Sequence, residues 1–259
     1  MQDIQNISFH EVIVFFIIFV RVATIVVTVP LFGYEAIPLQ VKAGLSLLLS
    51  LLLFSIIDQS HLRIPLELLP FIIMVINEVL IGLVIGFVMG ILFVGVRFAG
   101  TLIGLDMGFG IVNILDPMTG EQVSIIDQFK YIIAVLLFLT FDGHHFILRI
   151  MKLCYTAVPI TGDNYTPAVV SEMVRMSSQI FAIGLQAGAA TLAALFMSSV
   201  IMSVTARLVP QMNIFIVGYP LKIAVGFIML FVSFPFFAYM FEKFYHLFQR
   251  DVLKILQLV

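Results

Sequence analysis

The sequence predicts an all-α, polytopic membrane-type protein built from helical hairpins, some with interrupted helices. Three observations carry this. Hydrophobic residues make up 62% of the 259 positions and charged residues 11%, too little charge to cover a soluble surface. Apolar runs long enough to span hydrocarbon recur along the chain. Alternation with period two is not sustained, which argues against an outer-membrane barrel. The formal net charge is only −2, and no basic patch points to a nucleic-acid partner.

The elements follow in order. MQDIQNISFHE, at the start, has neither Lys nor Arg, and no small-residue cleavage site follows the first apolar run, 11–31. That run is therefore expected to stay rather than be removed as a signal. LFGYEAIPLQVK (31–42) leads into a run at 43–57, and IDQSHLRIP (57–65) into one at 66–96 that encloses Asn77–Glu78. Further runs occupy 98–115, 129–141, 146–159, 179–206 and 214–241. Two of the runs are too short for simple spans, so not every helix is expected to face lipid. The polar stretch ITGDNYTPAVVSEMVRMSSQ (160–179) reads as an exposed loop entering a helix. The tail, about 242–259, reads as an amphipathic helix; Lys243, Arg250 and Lys254 place it on the cytoplasmic side. The chain reads as one membrane domain, 1–259.

Glycines mark packing faces. Gly82, Gly86 and Gly90 recur every four residues, as do Gly100, Gly104 and Gly108, and Gly184 with Gly188. Residues four apart share a helix face, and a face without side chains lets backbones approach closely in lipid. The partner backbone could belong to this chain or to another. Arg21, Glu78, Arg97, Asp106 and Arg207 lie in or beside apolar runs, where a charge needs a partner, a polar cavity or an escape to the interface. For Arg97 and Arg207, snorkelling at a segment end is the favoured reading. For Arg21 and Glu78, deeper inside, a buried pairing is equally favoured.

Chemistry finds little support. FLTFDGHHF (138–146) offers Asp142, His144 and His145 as ligand types, but no third spacing matches a zinc motif, and Asp-Gly reads as a turn. His10–Glu11 begins no HExxH. No catalytic or nucleotide-binding motif is present, so no enzymatic activity and no cofactor or metal is expected. The single cysteine, Cys154, excludes an intramolecular disulfide and reads as a small core residue. The thirteen methionines are ordinary flexible filling.

The stretch MGFGIVNILDPMTGEQ (107–122) is unlike the rest. Gly108, Gly110, Asn113, Asp116–Pro117 and Gly120 break helices, while Phe109, Ile111, Val112, Ile114, Leu115 and Met118 are as apolar as a span. Non-helical backbone at membrane depth is tolerated only when buried in protein or lining a cavity. From residues alone, a buried connector is the favoured reading.

Several motifs, taken jointly, resemble the FliR family, the R-type export-gate proteins of flagellar type III secretion, related to the injectisome SctT-type proteins. They are Arg21 followed by VPLFG, Pro38 and Lys42; NEVLIGLVIG (77–86); RFAGTLIGLDMGFG (97–110); DPMTGEQ (116–122); LTFDGHHF (139–146); and VPQMNIFIVGYPLK (209–222). The resemblance covers nearly the whole chain, and DGHH and DPMTG favour the flagellar branch. It implies one copy built, with several P-type and Q-type subunits (FliP, FliQ), into a helical hetero-oligomeric export gate. FlhB seated at the base and FlhA are further implied partners. The implied place is the bacterial inner membrane within the flagellar basal body, with part raised to the periplasmic side. The implied cargo is unfolded flagellar protein.

By the same resemblance, 107–122 is a pore loop that plugs the channel. Phe109, Ile111, Val112, Ile114, Leu115 and Met118 would form the seal. Gly108, Gly110, Asp116, Pro117 and Gly120 would supply hinges and the return turn. The chain departs from the family in having Ile111 and Ile114 where relatives use phenylalanine, so bulk is kept without ring stacking. A stand-alone secondary transporter and a purely structural assembly nucleus are the competing readings.

Overall fold

A computed structural model of the chain describes residues 9–34, 36–57, 67–109, 124–160, 167–211 and 213–258. Among these residues all regular structure is helical. The elements are α1 (Phe9–Thr28), the single turn α2 (Pro30–Gly33), α3 (Leu39–Phe54), α4 (Leu68–Met107), α5 (Ile125–Thr140), α6 (Gly143–Ala157), α7 (Pro167–Leu208), α8 (Ile214–Val232) and α9 (Phe234–Leu258).

Three helices are long and apolar enough to cross a membrane: His10–Thr28, Leu68–Met107 and Ala168–Leu208. The total reaches five if the broken pairs α5–α6 and α8–α9 each count as one span. The protein is a membrane protein of bent helical hairpins. α4 and α7 have 40 and 42 residues. At 1.5 Å per residue each is about 60 Å long, twice the ~30 Å hydrocarbon core. Neither can be a simple span.

Three boundaries differ from those expected. The runs 66–96 and 98–115 are one helix up to Met107, because Arg97 does not end it; the guanidinium is paired instead (below). The polar stretch 160–179 is helical from Pro167 onward, and a proline in the first turn is tolerated because its missing N–H would be unsatisfied there anyway. The run 214–241 breaks at Ser233, where α8 and α9 meet at 58°. Pro235, two residues on, fits the first turn of a new helix but not the interior of an old one. The expected amphipathic tail is the second half of α9.

The chain divides into two compact units. The first comprises Met1–Gly90, Asp142–Met176 and Phe248–Val259. There α1 buries Val14, Ile17, Ile18, Arg21, Val22, Ile25 and Val26, a stripe at helical spacing, and leaves Val12, Phe16 and Val27 outside. α3 is inverted relative to a soluble helix. Ser46 and Ser50 turn inward while Leu47, Leu48, Leu51 and Leu52 are more than half exposed. The buried hydroxyls donate to carbonyls one turn back, Ser46 to Lys42 at 2.7 Å and Ser50 to Ser46 at 2.6 Å. Small polar residues facing protein and leucines facing outward are the pattern that lipid favours. The start of α7 is tied to the end of α9. Glu172 pairs with Arg175 and with Lys254 (2.9 Å), and Arg175 also reaches Asp251 (3.2 Å).

The second unit comprises Ile91–Phe141 and Ser177–Leu247. Its rings pack edge to face, Phe93 against Phe138 and Phe138 against Tyr245 at 5.2 and 5.6 Å between centroids. α4 and α7 cross at two glycines. A Cβ on Gly184 would sit 3.1 Å from the Gly95 carbonyl, and one on Gly95 2.8 Å from Ile183 Cβ. Gly184 was legible as a packing residue, but Gly95 stands outside the four-residue series.

Candidate functional site

α4 stops at Met107 because of a local hydrogen-bond pattern. The Phe109 N–H donates to the Gly104 carbonyl (3.0 Å) and the Gly108 N–H to the Leu105 carbonyl (3.1 Å). This is the Schellman arrangement, with Gly108 in the position that needs positive φ; its φ is +95°. Glycine is required twice over. L side chains disfavour that φ, and a Cβ would also press on the Tyr219 ring of α8, 2.8 Å from Cε1. Gly108→Ala should therefore lower thermal stability by about 2–3 kcal/mol, measurable by unfolding in detergent; an unchanged midpoint would contradict the assignment.

The departing chain is held on three sides by α8. Lys222 Nζ donates to Asp106 Oδ1 at 3.2 Å, with both side chains partly exposed. The Phe109 ring meets the edge of Phe227 at 6.4 Å between centroids. Met107 lies against Gly226, where a Cβ would come within 2.6 Å of its sulfur. Beneath them lies a core of Ile103, Met107, Ile126 and Leu195.

The chain returns at Ser124, the residue that opens α5, with extended backbone at φ −64°, ψ 126° and no side-chain cap. Its side chain faces Gly104 closely enough that any Cβ there would collide with it. Its buried Oγ has no hydrogen-bond partner among the described residues. Departure and return thus share one anchor: Phe109 bonds to the Gly104 carbonyl and Ser124 lies on the Gly104 α-carbon. One turn earlier, Gly100 admits the Asp127 backbone, whose N would be 2.9 Å from a Cβ. Arg97 then grips the Asp127 carboxylate with Nε at 3.0 Å and Nη2 at 2.9 Å. Arg97 is therefore an ion-pair residue rather than a snorkelling one. Arg207 lies in the last turn of α7 and is exposed.

Of the expected seal and hinge residues, Gly108 and Phe109 are placed as above. Gly110, Ile111, Val112, Ile114, Leu115, Asp116, Pro117, Met118 and Gly120 lie outside the described residues.

The partners of Arg21 and Glu78 are each other. Arg21 donates to both carboxylate oxygens of Glu78, through Nε to Oε2 and through Nη2 to Oε1 at 2.9 Å. Nη1 donates to the Val158 carbonyl at 2.9 Å and the Cys154 carbonyl at 3.3 Å. The Tyr155 ring covers the guanidinium at 4.3 Å, and its hydroxyl donates to Ile18 O at 3.1 Å. Arg21 thus adds a second donor to the Cys154 carbonyl, which also accepts the Val158 N–H at 2.9 Å, and binds the Val158 carbonyl just past the end of α6, while pairing with α4. Cys154 is fully buried in this cluster. The glycines of α4 bring the helices together here. A Cβ on Gly82 would lie 2.7 Å from Thr24 Cβ, and one on Gly86 would collide with Thr28, whereas Gly90 stands 3.9 Å from Pro30. In the other unit a Cβ on Gly188 would stand 3.5 Å from Ala99 Cβ and 3.1 Å from the Leu192 side chain.

Neither Asp127 nor Lys130 was legible as a site residue. Asp127 and Lys130, on one face of α5, are both buried. Lys130 donates to the Ala187 carbonyl at 2.9 Å and lies 4.4 Å from the Phe237 ring centre. Their only sequence signal was the three-residue spacing of two charges in an apolar run. At the α5–α6 turn Asp142 adopts φ 56°, ψ 29°, and His145 Nδ1 lies 3.3 Å from its Oδ1. Asp142, His144 and His145 each offer a donor atom within 4.8 Å of the others. Donors around a zinc at 2.0–2.1 Å would stand only about 3.3 Å apart, so the side chains would have to close further to hold an ion.

Residues 12–248 match the bacterial export proteins, family 1. The chain is 35% identical to the flagellar biosynthetic protein FliR of Bacillus subtilis, over 84% of this chain and 85% of that one. It is 31% identical to FliR of Pectobacterium carotovorum, over 85% and 84%. Identity to FliR of Escherichia coli is 27%, over 84% and 83%.

Proposed function

The chain belongs to the bacterial export proteins of family 1 and to its flagellar FliR members, and from that premise we propose that its 107–122 segment is the plug of the export channel. It is a membrane component of the flagellar export apparatus. The plug reading adds that apolar side chains of the segment, Phe109, Ile111, Val112, Ile114, Leu115 and Met118, exclude water from a constriction. Without water ions do not cross, yet side-chain contacts can part for a polypeptide.

One observation carries this reading. Departure at Phe109 and return at Ser124 are both fastened at Gly104, so an apolar, helix-breaking segment starts and ends at one firm point. A connector between two distant helices would have no need of a shared anchor. The segment's apolar side chains require cover from water, and a channel assembled with P-type and Q-type subunits (FliP, FliQ) over FlhB, with FlhA adjoining, supplies it. The ~60 Å lengths of α4 and α7 support a protein partly raised to the periplasmic side of the inner membrane. The role is non-enzymatic: passage of unfolded flagellar proteins.

Shortening 110–120 should leave the complex assembled and make membranes leak ions and small solutes, measured as dye or ion flux in vesicles carrying the co-expressed gate. Normal permeability with normal assembly would remove the plug assignment.

A further inference from the structure

The turn that opens α6, within the first unit, gathers three polar side chains whose ordinary work is left undone. Asp142 stands at the N-cap of α6, where an aspartate usually accepts a hydrogen bond from a first-turn N–H. Its carbonyl does accept the Phe146 N–H, at 3.2 Å. With the backbone left-handed at φ 56°, ψ 29°, however, its carboxylate makes no cap. The carboxylate lies instead beside His145, Oδ1 3.3 Å from Nδ1, beyond the usual N–H···O range. His144 Nδ1 is buried and has no hydrogen-bond partner among the described residues, which include the whole stretch 124–160 around it. A buried polar atom left so costs energy. The two imidazole rings stand 4.1 Å apart between centroids.

We propose that Asp142, His144 and His145 bind a divalent transition-metal ion of the zinc class, which pins the first turn of α6. One donor atom from each residue already lies within 4.8 Å of the others. Coordination at 2.0–2.1 Å asks for separations of about 3.3 Å, so the widest gap must close by about 1.5 Å. The Asp142 and His145 side chains are 76% and 66% exposed and have room to rotate that far. Two imidazoles and one carboxylate, with positions left for water, suit zinc and its first-row neighbours. Magnesium and calcium want oxygen donors throughout. The α6 N-terminus, worth roughly half a positive charge, opposes a cation, but Asp142 brings a full negative charge to the same point. No zinc motif has this spacing, so the sequence alone argued against an ion here. The left-handed Asp142 is what returns a carboxylate to the two histidines.

The test titrates Zn2+ into the full chain in detergent, purified without a histidine tag and stripped with a chelator. The parent should bind one Zn2+ per chain in the micromolar range, and Ca2+ in roughly hundredfold excess should not displace it. Asp142→Asn, His144→Gln and His145→Gln, singly, should each weaken binding by at least about tenfold, the low end of what even an outer-shell partner is worth. Asparagine tolerates the left-handed backbone of Asp142, so that variant keeps the turn. If His144→Gln fails to fold, the two exposed positions decide. Replacing His10, His61 or His246, the other histidines, by glutamine one at a time should leave binding unchanged. A parent that takes up no Zn2+ overturns the site. So does binding that survives Asp142→Asn and His145→Gln, or that follows the other histidines instead.

Discussion

Replacing Arg21 by alanine is expected to cost about 3–5 kcal/mol and to remove most folded protein from detergent extracts. Glu78→Ala should do the same. The reason is asymmetry. The pair is fully buried, 0% and 1% exposed, and removing one partner leaves the other charge without an answer in a medium that cannot solvate it. Arg21 has a second task, since its Nη1 donates to the Val158 carbonyl just past α6 and to the Cys154 carbonyl; losing it removes a donor from Val158 O, while Cys154 O keeps the Val158 N–H. Replacing both partners by methionine should recover much of the loss, because two apolar side chains of similar volume need no desolvation. The Val158 carbonyl would still lack its Arg21 donor, so recovery should be incomplete. Thermal unfolding of the four proteins in one detergent checks the cycle. A single alanine variant as stable as the parent would mean the pair carries no weight. Tyr155→Phe removes one hydrogen bond to the Ile18 carbonyl and should cost only about 1 kcal/mol.

The second large effect is expected at Gly100. Most tight glycines here face side chains that can turn aside. Gly100 faces backbone: a Cβ would lie 2.5 Å from the Asp127 Cα and 3.0 Å from the Ile126 carbonyl. Backbone of a helix's first turn moves only if the helix moves. Gly100→Ala should therefore cost about 2–3 kcal/mol, the upper range for overpacking, and Gly100→Val more. The displacement would also lengthen the Arg97–Asp127 pair and shift Ser124, the return point of the 110–123 segment. Gates assembled with Gly100→Ala should accordingly leak, although the segment itself is unchanged. Gly90→Ala, whose Cβ would meet only Pro30 Cγ at 3.9 Å, is the control and should be near neutral. Equal behaviour of the two alanines would contradict this account.

Much of this was legible in the sequence because the signals are local or compositional. Apolar runs showed the helices, and glycine spacing pointed to close faces at Gly82, Gly86, Gly100, Gly104 and Gly184. The turn at Gly108 followed from residue type, since a helix ending in positive φ wants glycine. The motifs that resemble FliR proteins did the rest for the family. Boundaries failed where charge or polarity was taken as an end. Arg97 sits inside α4 because Asp127, thirty positions along, neutralises it. The start of α7 is polar because Glu172 and Arg175 meet the tail of α9 rather than water alone.

The sequence by itself determined the class of protein, its helices and its family, because hydropathy and backbone preference act within a few residues of their cause. Which charges pair was decided only by the tertiary structure. Arg21 could have met any acid or an aqueous cavity, and only the arrival of Glu78 and the end of α6 at one place makes the buried guanidinium affordable in energy. The common fastening of Phe109 and Ser124 at Gly104 is of the same kind. It depends on two chain segments meeting, and pairwise meetings between distant residues are set by the packing of whole helices.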